Sequence, residues 1–236
     1  MQTFQQFLLI APILLFSVIA HEIAHGWAAL RQGDRTALDA GRLTWNPRPH
    51  IDPFFTILLP IMTIAGSVAA GARPMIFGGA KPVPVDPRNY KHPRMGDIIV
   101  SLAGVATNAL IIVVCVVLYA ITGALGKAVP ALLGTLGIVQ AMCDIGISIN
   151  TLLIAFNLLP IPPLDGSHVF KYLLPRPLAV QYVRFGRFGL IALVMLLAWG
   201  ERFLFAWMSP FYRVSDSVFG LVKASSQLPT TMQWLL

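Results

Sequence analysis

The sequence predicts an all-α polytopic membrane protein: a bundle of about four to six transmembrane helices with a re-entrant or interfacial segment, and small β-hairpin and edge-strand elements in its cytoplasmic loops. Three observations predict it. Of the 236 residues, 56% are hydrophobic and only 11% charged, with a mean hydropathy of +0.73, a balance that soluble domains do not reach. The apolar residues gather into runs near 7–30, 98–122, 138–160 and 188–199, with a shorter one at 54–71. The charges other than Glu22 and Asp144 lie outside these runs and are mostly basic, with 17 Lys and Arg against 10 Asp and Glu in the whole chain, the pattern of cytoplasmic loops under the positive-inside rule.

The same distribution excludes other classes. The net charge of +7 does not form the continuous basic face that nucleic acid requires, so no nucleic-acid partner is expected. Cys115 and Cys143 both fall inside apolar runs, which points to buried packing and away from a disulfide. Residues 1–20 look superficially like a signal peptide, but they carry no basic leader, and cleavage after Ala20 would cut the run that follows. They are read as a retained span.

The first run, from Phe7 to Leu30, is long enough to cross a hydrocarbon core of about 30 Å at roughly 1.5 Å per residue. It is interrupted at His21-Glu22-Ile23-Ala24-His25. Ionisable groups in a bilayer-spanning helix are costly and are kept where they pair, bind or catalyse. His21 and His25 are four apart, which returns both imidazoles to one helical face, about 6 Å apart along the axis, where they can reach one metal ion. Glu22 lies about 100° round the helix, close enough to hold a water beside that ion. This is the H-E-x-x-H arrangement of zinc hydrolases, and it calls for a third ligand elsewhere.

The loop 31–52 is polar, and its stretch Thr36 to Asn46 reads as a small β-hairpin. His50 and Asp52 are two apart, a poor spacing for ligation, so a lining role is expected for them. The run 54–71 is short and broken by Pro60, and is expected to be re-entrant or interfacial. In the next loop Lys81-Pro82-Val83-Pro84-Val85 reads as an edge strand, because proline is tolerated only where no ladder partner is needed; Lys81, Val83 and Val85 could then receive an extended substrate segment by strand addition.

The run 98–122 contains Ala103-Gly104 and Asn108, small residues for close helix approach and a polar group that needs a partner. In the run 138–160, Asp144 lies about 24 Å of helix before Pro160, and is expected near the opposite interface, away from any active site. That run closes with Asn157-Leu158-Leu159-Pro160-Ile161-Pro162-Pro163-Leu164-Asp165-Gly166. A helix broken at membrane depth is tolerated only where its freed backbone groups are buried in protein or face water, and an aspartate at such a break suits the third ligand. Residues 165–187 read as a basic loop before the span at 188–199. The stretch 203–222 reads as a further span or an amphipathic interfacial piece.

With both stretches in hand, the chain resembles the site-2 protease family of intramembrane zinc metalloproteases, peptidase family M50, in its short branch without a PDZ domain. The resemblance rests on His21-Glu22-Ile23-Ala24-His25, on the N-x-x-P-x-P-x-L-D-G pattern from Asn157 to Gly166, and on Ala103-Gly104 with Asn108 between them. It departs at Val105, where the family commonly has proline. The resemblance implies one membrane-embedded peptidase domain over 1–236 and one zinc ion per chain held by His21, His25 and Asp165. It makes Glu22 the catalytic base, with Asn157 and Asn108 orienting substrate or stabilising the tetrahedral intermediate. Substrates would be transmembrane segments of other proteins in the lipid bilayer. The chain would be a multi-pass protein of the bacterial inner membrane, its site opening toward the cytoplasm. The rival readings are a membrane zinc-binding or transport protein, and a non-catalytic scaffold of the same fold.

Overall fold

The computed structural model describes residues 2–58, 61, 62, 65 and 79–229. It is built of helices: α1 (Gln2–Gln32), α2 (Thr36–Asp39), α3 (Pro93–Ala128), α4 (Leu133–Asn157), α5 (Asp165–Phe170), α6 (Arg176–Phe185), α7 (Gly189–Trp199) and α8 (Glu201–Ser226). Four stretches are long and apolar enough to cross a membrane: Leu9–Gln32, Pro93–Ala128, Pro130–Asn157 and Arg176–Trp199. These contain or largely overlap the four runs picked out by hydropathy. The chain is an integral membrane protein.

Several local expectations are corrected. No strand occurs among the described residues, and the hairpin expected over Thr36 to Asn46 is absent, because Thr36–Asp39 closes into a helical turn. Lys81, Val83 and Val85 lie in an extended segment without a ladder. Pro82 and Pro84 have no N–H, and the amides of Lys81 and Val83 are bonded elsewhere, to the His50 carbonyl and to Glu22. The stretch 165–187, expected as a basic loop, is largely helical, as α5 and α6, with Pro177 in the first turn of α6 where a missing N–H costs nothing. The last span therefore reaches back to Arg176. Of the segment 54–71, Pro53–Leu58 forms a short wide-turn helix, and most of the remainder lies outside the described residues. The stretch 203–222 falls inside α8, which is not among the four apolar spans.

The chain forms two compact units, Val18–Gly104, and Met1–Ser17 with Val105–Leu236. In the first, Ala29, Tyr90 and Val100 form the apolar core. Gly33, at φ +106°, turns the chain out of α1, a left-handed conformation that glycine adopts without strain. The next residue, Asp34, is fully buried and gathers the loop ends around it: its carboxylate accepts from the Thr36 amide and hydroxyl, from the Asp86 amide at 2.7 Å and from Asn89 Nδ2 at 2.9 Å. Burial by itself raises the Asp34 carboxyl. The hydrogen bonds from Thr36, Asn89 and Asp86 outweigh that and hold it below the usual carboxylate range.

In the larger unit Tyr119, Cys143, Ile147 and Phe219 form the core. The buried positions of α4, Gly137, Gln140, Cys143, Ile147, Asn150 and Ala155 among them, recur every three or four residues and so form one face. Two amide side chains on that face donate to partners: Asn150 Nδ2 to Ser17 Oγ at 2.9 Å, and Gln140 Nε2 to the Tyr119 and Ser226 carbonyls. Asp144 pairs with Lys223 of α8 at 3.3 Å. Cys115 and Cys143 are free thiols.

Candidate metal centre

The two histidines are set by the helix that carries them. On α1 their rings meet edge to face with centroids 4.6 Å apart, and both are buried. His25 Nδ1 lies 2.7 Å from the Val100 carbonyl oxygen. A carbonyl can only accept, so Nδ1 carries the proton and the neutral ring keeps its lone pair on Nε2, the arrangement that a metal-binding imidazole needs. Gly104 faces the same nitrogens. A Cβ built there would stand 2.5 Å from His21 Nε2 and 2.6 Å from His25 Nε2. Glycine at this position leaves the two Nε2 atoms unobstructed. Sequence reading assigned Gly104 to packing alone; its packing partners are the histidines.

Glu22 is half-buried, and its Oε2 accepts a hydrogen bond from the Val83 amide at 2.7 Å. Among the described residues Oε1 has no such bond. Val83 is buried, close to the space above Gly26 that Leu43 and Ala37 also fill. Lys81 and Val85, two residues to either side of it, are exposed, so burial on this segment is confined to Val83 and is set by what packs there, since extended backbone alone would put all three on one face. Nothing in the sequence pattern signalled that a carboxylate on the first helix would meet an amide 61 positions later.

Asp165 opens α5 directly after the helix break. The break is closely packed. Tyr182 donates its hydroxyl to the Pro160 carbonyl at 3.0 Å, and Leu159 is fully buried. A Cβ on Gly166 would collide with the Leu158 carbonyl oxygen, and one on Gly189 would collide with that of Pro162. The Tyr182 hydroxyl thus partners one of the backbone carbonyls that the break leaves outside the helix.

His21 and His25 each offer a ring nitrogen and Asp165, at the start of α5, a carboxylate oxygen, a donor group of the kind that holds zinc. Two imidazoles and a carboxylate are also the donor chemistry of catalytic zinc, which leaves a coordination position open. His50 and Asp52 do not belong to the group; the His50 ring is buried with Nε2 bonded to the Thr44 carbonyl.

The two asparagines differ. Asn108 is fully buried on α3, whereas Asn157 Nδ2 donates to the Leu153 carbonyl one turn back on its own helix, keeping Oδ1 as its remaining polar atom.

The family model for peptidase family M50 matches residues 9–197. A Bacillus subtilis (strain 168) protein that bears the name of a zinc metalloprotease, YwhC, is 37% identical over 183 residues, 78% of this chain and 77% of that protein. Another so named, Rip2 of Mycolicibacterium smegmatis, is 29% identical over 229 residues, 94% of this chain and 80% of that one. No solved structure matches the chain.

Proposed function

The chain belongs to peptidase family M50 and is a metalloprotease, and from that premise we propose that it cleaves peptide bonds within or near the transmembrane segments of other membrane proteins, with His21, His25 and Asp165 holding one zinc ion and Glu22 as general base. What supports this reading most is the histidine pair on α1, two buried rings with centroids 4.6 Å apart and His25 Nδ1 held by the Val100 carbonyl, in a chain of this family. Zinc held there supplies Lewis acidity, polarising the scissile carbonyl and making a water acidic enough to lose its proton near neutral pH.

The residues of the chain do the rest. His25 is kept in the right tautomer by the Val100 carbonyl. Glu22, with Oε2 occupied by the Val83 amide, presents Oε1 to take the proton of the attacking water and return it to the leaving nitrogen. Asn108 and Asn157 orient the substrate or stabilise the tetrahedral intermediate. A substrate helix must unwind locally before its carbonyl can be attacked, so segments containing Gly or Pro are favoured. The excess of Arg and Lys in the loops supports a site that opens toward the cytoplasm of a bacterial inner membrane.

The test is Glu22→Gln on the purified chain in detergent. Cleavage of a transmembrane reporter peptide is expected to fall by about 10²- to 10⁴-fold, with the zinc content unchanged at one ion per chain. Undiminished cleavage overturns the mechanism. A His21→Ala variant that keeps full zinc overturns the ligand assignment, and a chain that binds zinc without hydrolysing any such reporter favours the zinc-binding or scaffold reading.

A further inference from the structure

The reach of Val83 to Glu22 is itself held in place by a buried arginine. Arg42 is 8% exposed, and its Nη2 donates to the Lys81 carbonyl at 2.7 Å and to the Pro82 carbonyl at 3.2 Å. Those two carbonyls immediately precede the Val83 amide that holds Glu22 Oε2 at 2.7 Å. The Lys81 amide is tied in turn to the His50 carbonyl at 2.7 Å. At the far end, the Asp86 amide and the Asn89 side chain are bound by the buried Asp34. The segment from Lys81 to Asp86 is therefore a strap fastened at both ends, and its one inward residue is Val83.

From this arrangement we infer that Arg42 is a positioning residue for the general base: acting through the backbone of Lys81 and Pro82, it fixes the Val83 amide, which fixes the Glu22 carboxylate with Oε2 engaged and Oε1 available. The inference rests on the reading of Glu22 as the base. The physical reason is that a carboxylate on a helix turns freely about its side-chain bonds, and proton transfer needs the accepting oxygen within about 2.6–3.2 Å of the water. A single charge-assisted hydrogen bond from a fixed amide removes much of that freedom. An unanchored strap would let the amide drift. Arginine suits the task because its planar head serves two successive carbonyls while its charge never titrates. The prolines on either side of Val83 stiffen the same stretch, since each fixes its own φ.

The experiment uses the full chain, loaded with zinc in detergent, with a quenched fluorescent peptide bearing one transmembrane segment with an internal Gly-Pro pair. In Arg42→Gln, kcat is expected to fall on the order of ten- to a hundredfold, with KM within about twofold and zinc per chain and melting temperature unchanged. Arg42→Lys is expected to recover part of kcat, since an ammonium still donates to carbonyls. A second readout needs no substrate. In chain labelled with ¹⁵N-valine, the Val83 amide is expected to exchange slowly with solvent, and to exchange faster in both Glu22→Ala and Arg42→Gln.

Unchanged kcat in Arg42→Gln overturns the inference. So does loss of zinc and stability in proportion to kcat, which marks Arg42 as merely structural. Fast exchange of the Val83 amide in the unaltered chain also overturns it, even if no Arg42 variant folds. Retained cleavage in Glu22→Gln sinks the assignment of the base itself, and is separable from all of these because it does not involve Arg42.

Discussion

His25 Nδ1 and the Val100 carbonyl oxygen stand 2.7 Å apart, and through that bond α3 decides which nitrogen of an imidazole on α1 is left for a metal. The same helix presents Gly104 one turn later, against the Nε2 atoms of both histidines. One face of α3, with Asp97, Val100, Ser101, Gly104 and Asn108 all buried, thus both orients a candidate ligand and leaves space beside it.

Gly104→Ala is expected to disturb the histidine pair. Its new methyl would lie 2.5 Å from His21 Nε2 and 2.6 Å from His25 Nε2, and relieving such overpacking costs about 1–3 kcal/mol, equivalent to roughly 5- to 150-fold weaker zinc binding if the rings move. Zinc titration against a competing chelator measures it. Gly134→Ala is the control: a methyl added there would meet nothing within 4 Å, so zinc affinity should be unchanged and stability should rise by about 0.4–1 kcal/mol.

Asp34→Asn is expected to destabilise the loops around the site in a pH-dependent way. The folded carboxyl titrates below its ordinary value of 3.8, so the charged form is the one that folding favours. Its contribution is complete above the unfolded value and disappears as pH falls through the lower, folded one. The melting-temperature difference between the parent chain and Asp34→Asn should therefore be constant above about pH 5 and shrink toward zero as acid takes the pH below the folded value. A difference that grows on acidification contradicts the assignment.

At the helix break, Gly189→Ala would drive a methyl into the Pro162 carbonyl oxygen, for a cost of about 1–3 kcal/mol. Tyr182→Phe removes only the hydroxyl donated to Pro160, for about 0.5–1.5 kcal/mol. Both should lower the melting temperature, in that order of severity. Because the break carries Asp165, the first should also weaken zinc binding measurably.

Orientation can be read from accessibility. Asn46 and Arg88 are both exposed in the Val18–Gly104 unit. Replaced singly by cysteine in a Cys115→Ala, Cys143→Ala background, they should react with a membrane-impermeant maleimide from the same, cytoplasmic side. Labelling from opposite sides would contradict a site that opens toward the cytoplasm.

What could be read in advance was whatever depends on neighbours along the chain. Hydropathy locates a span because lipid leaves a backbone few options other than a helix, and the four-residue interval of His21 and His25 fixes their common face because helical geometry is regular. Interactions with short polar segments were not readable in the same way. The hairpin reading of Thr36 to Asn46 failed because turn residues suit a helical turn as well as a hairpin. The reach of α6 was missed because Arg176, Arg184 and Arg187 suggested a loop, although long basic side chains can extend from a helix toward water.

The sequence by itself determined the approximate place of four apolar helices, the two histidines and glutamate on one of them, and the aspartate at a broken helix, all of which follow from local periodicity and composition. Only the tertiary structure decided that Val100 sets the His25 tautomer, that Gly104 clears the space beside both rings, and that an arginine-anchored strap brings the Val83 amide to Glu22. Those are meetings of residues far apart along the chain, chosen by packing and by the need of each buried polar group for a partner, and no local pattern encodes them.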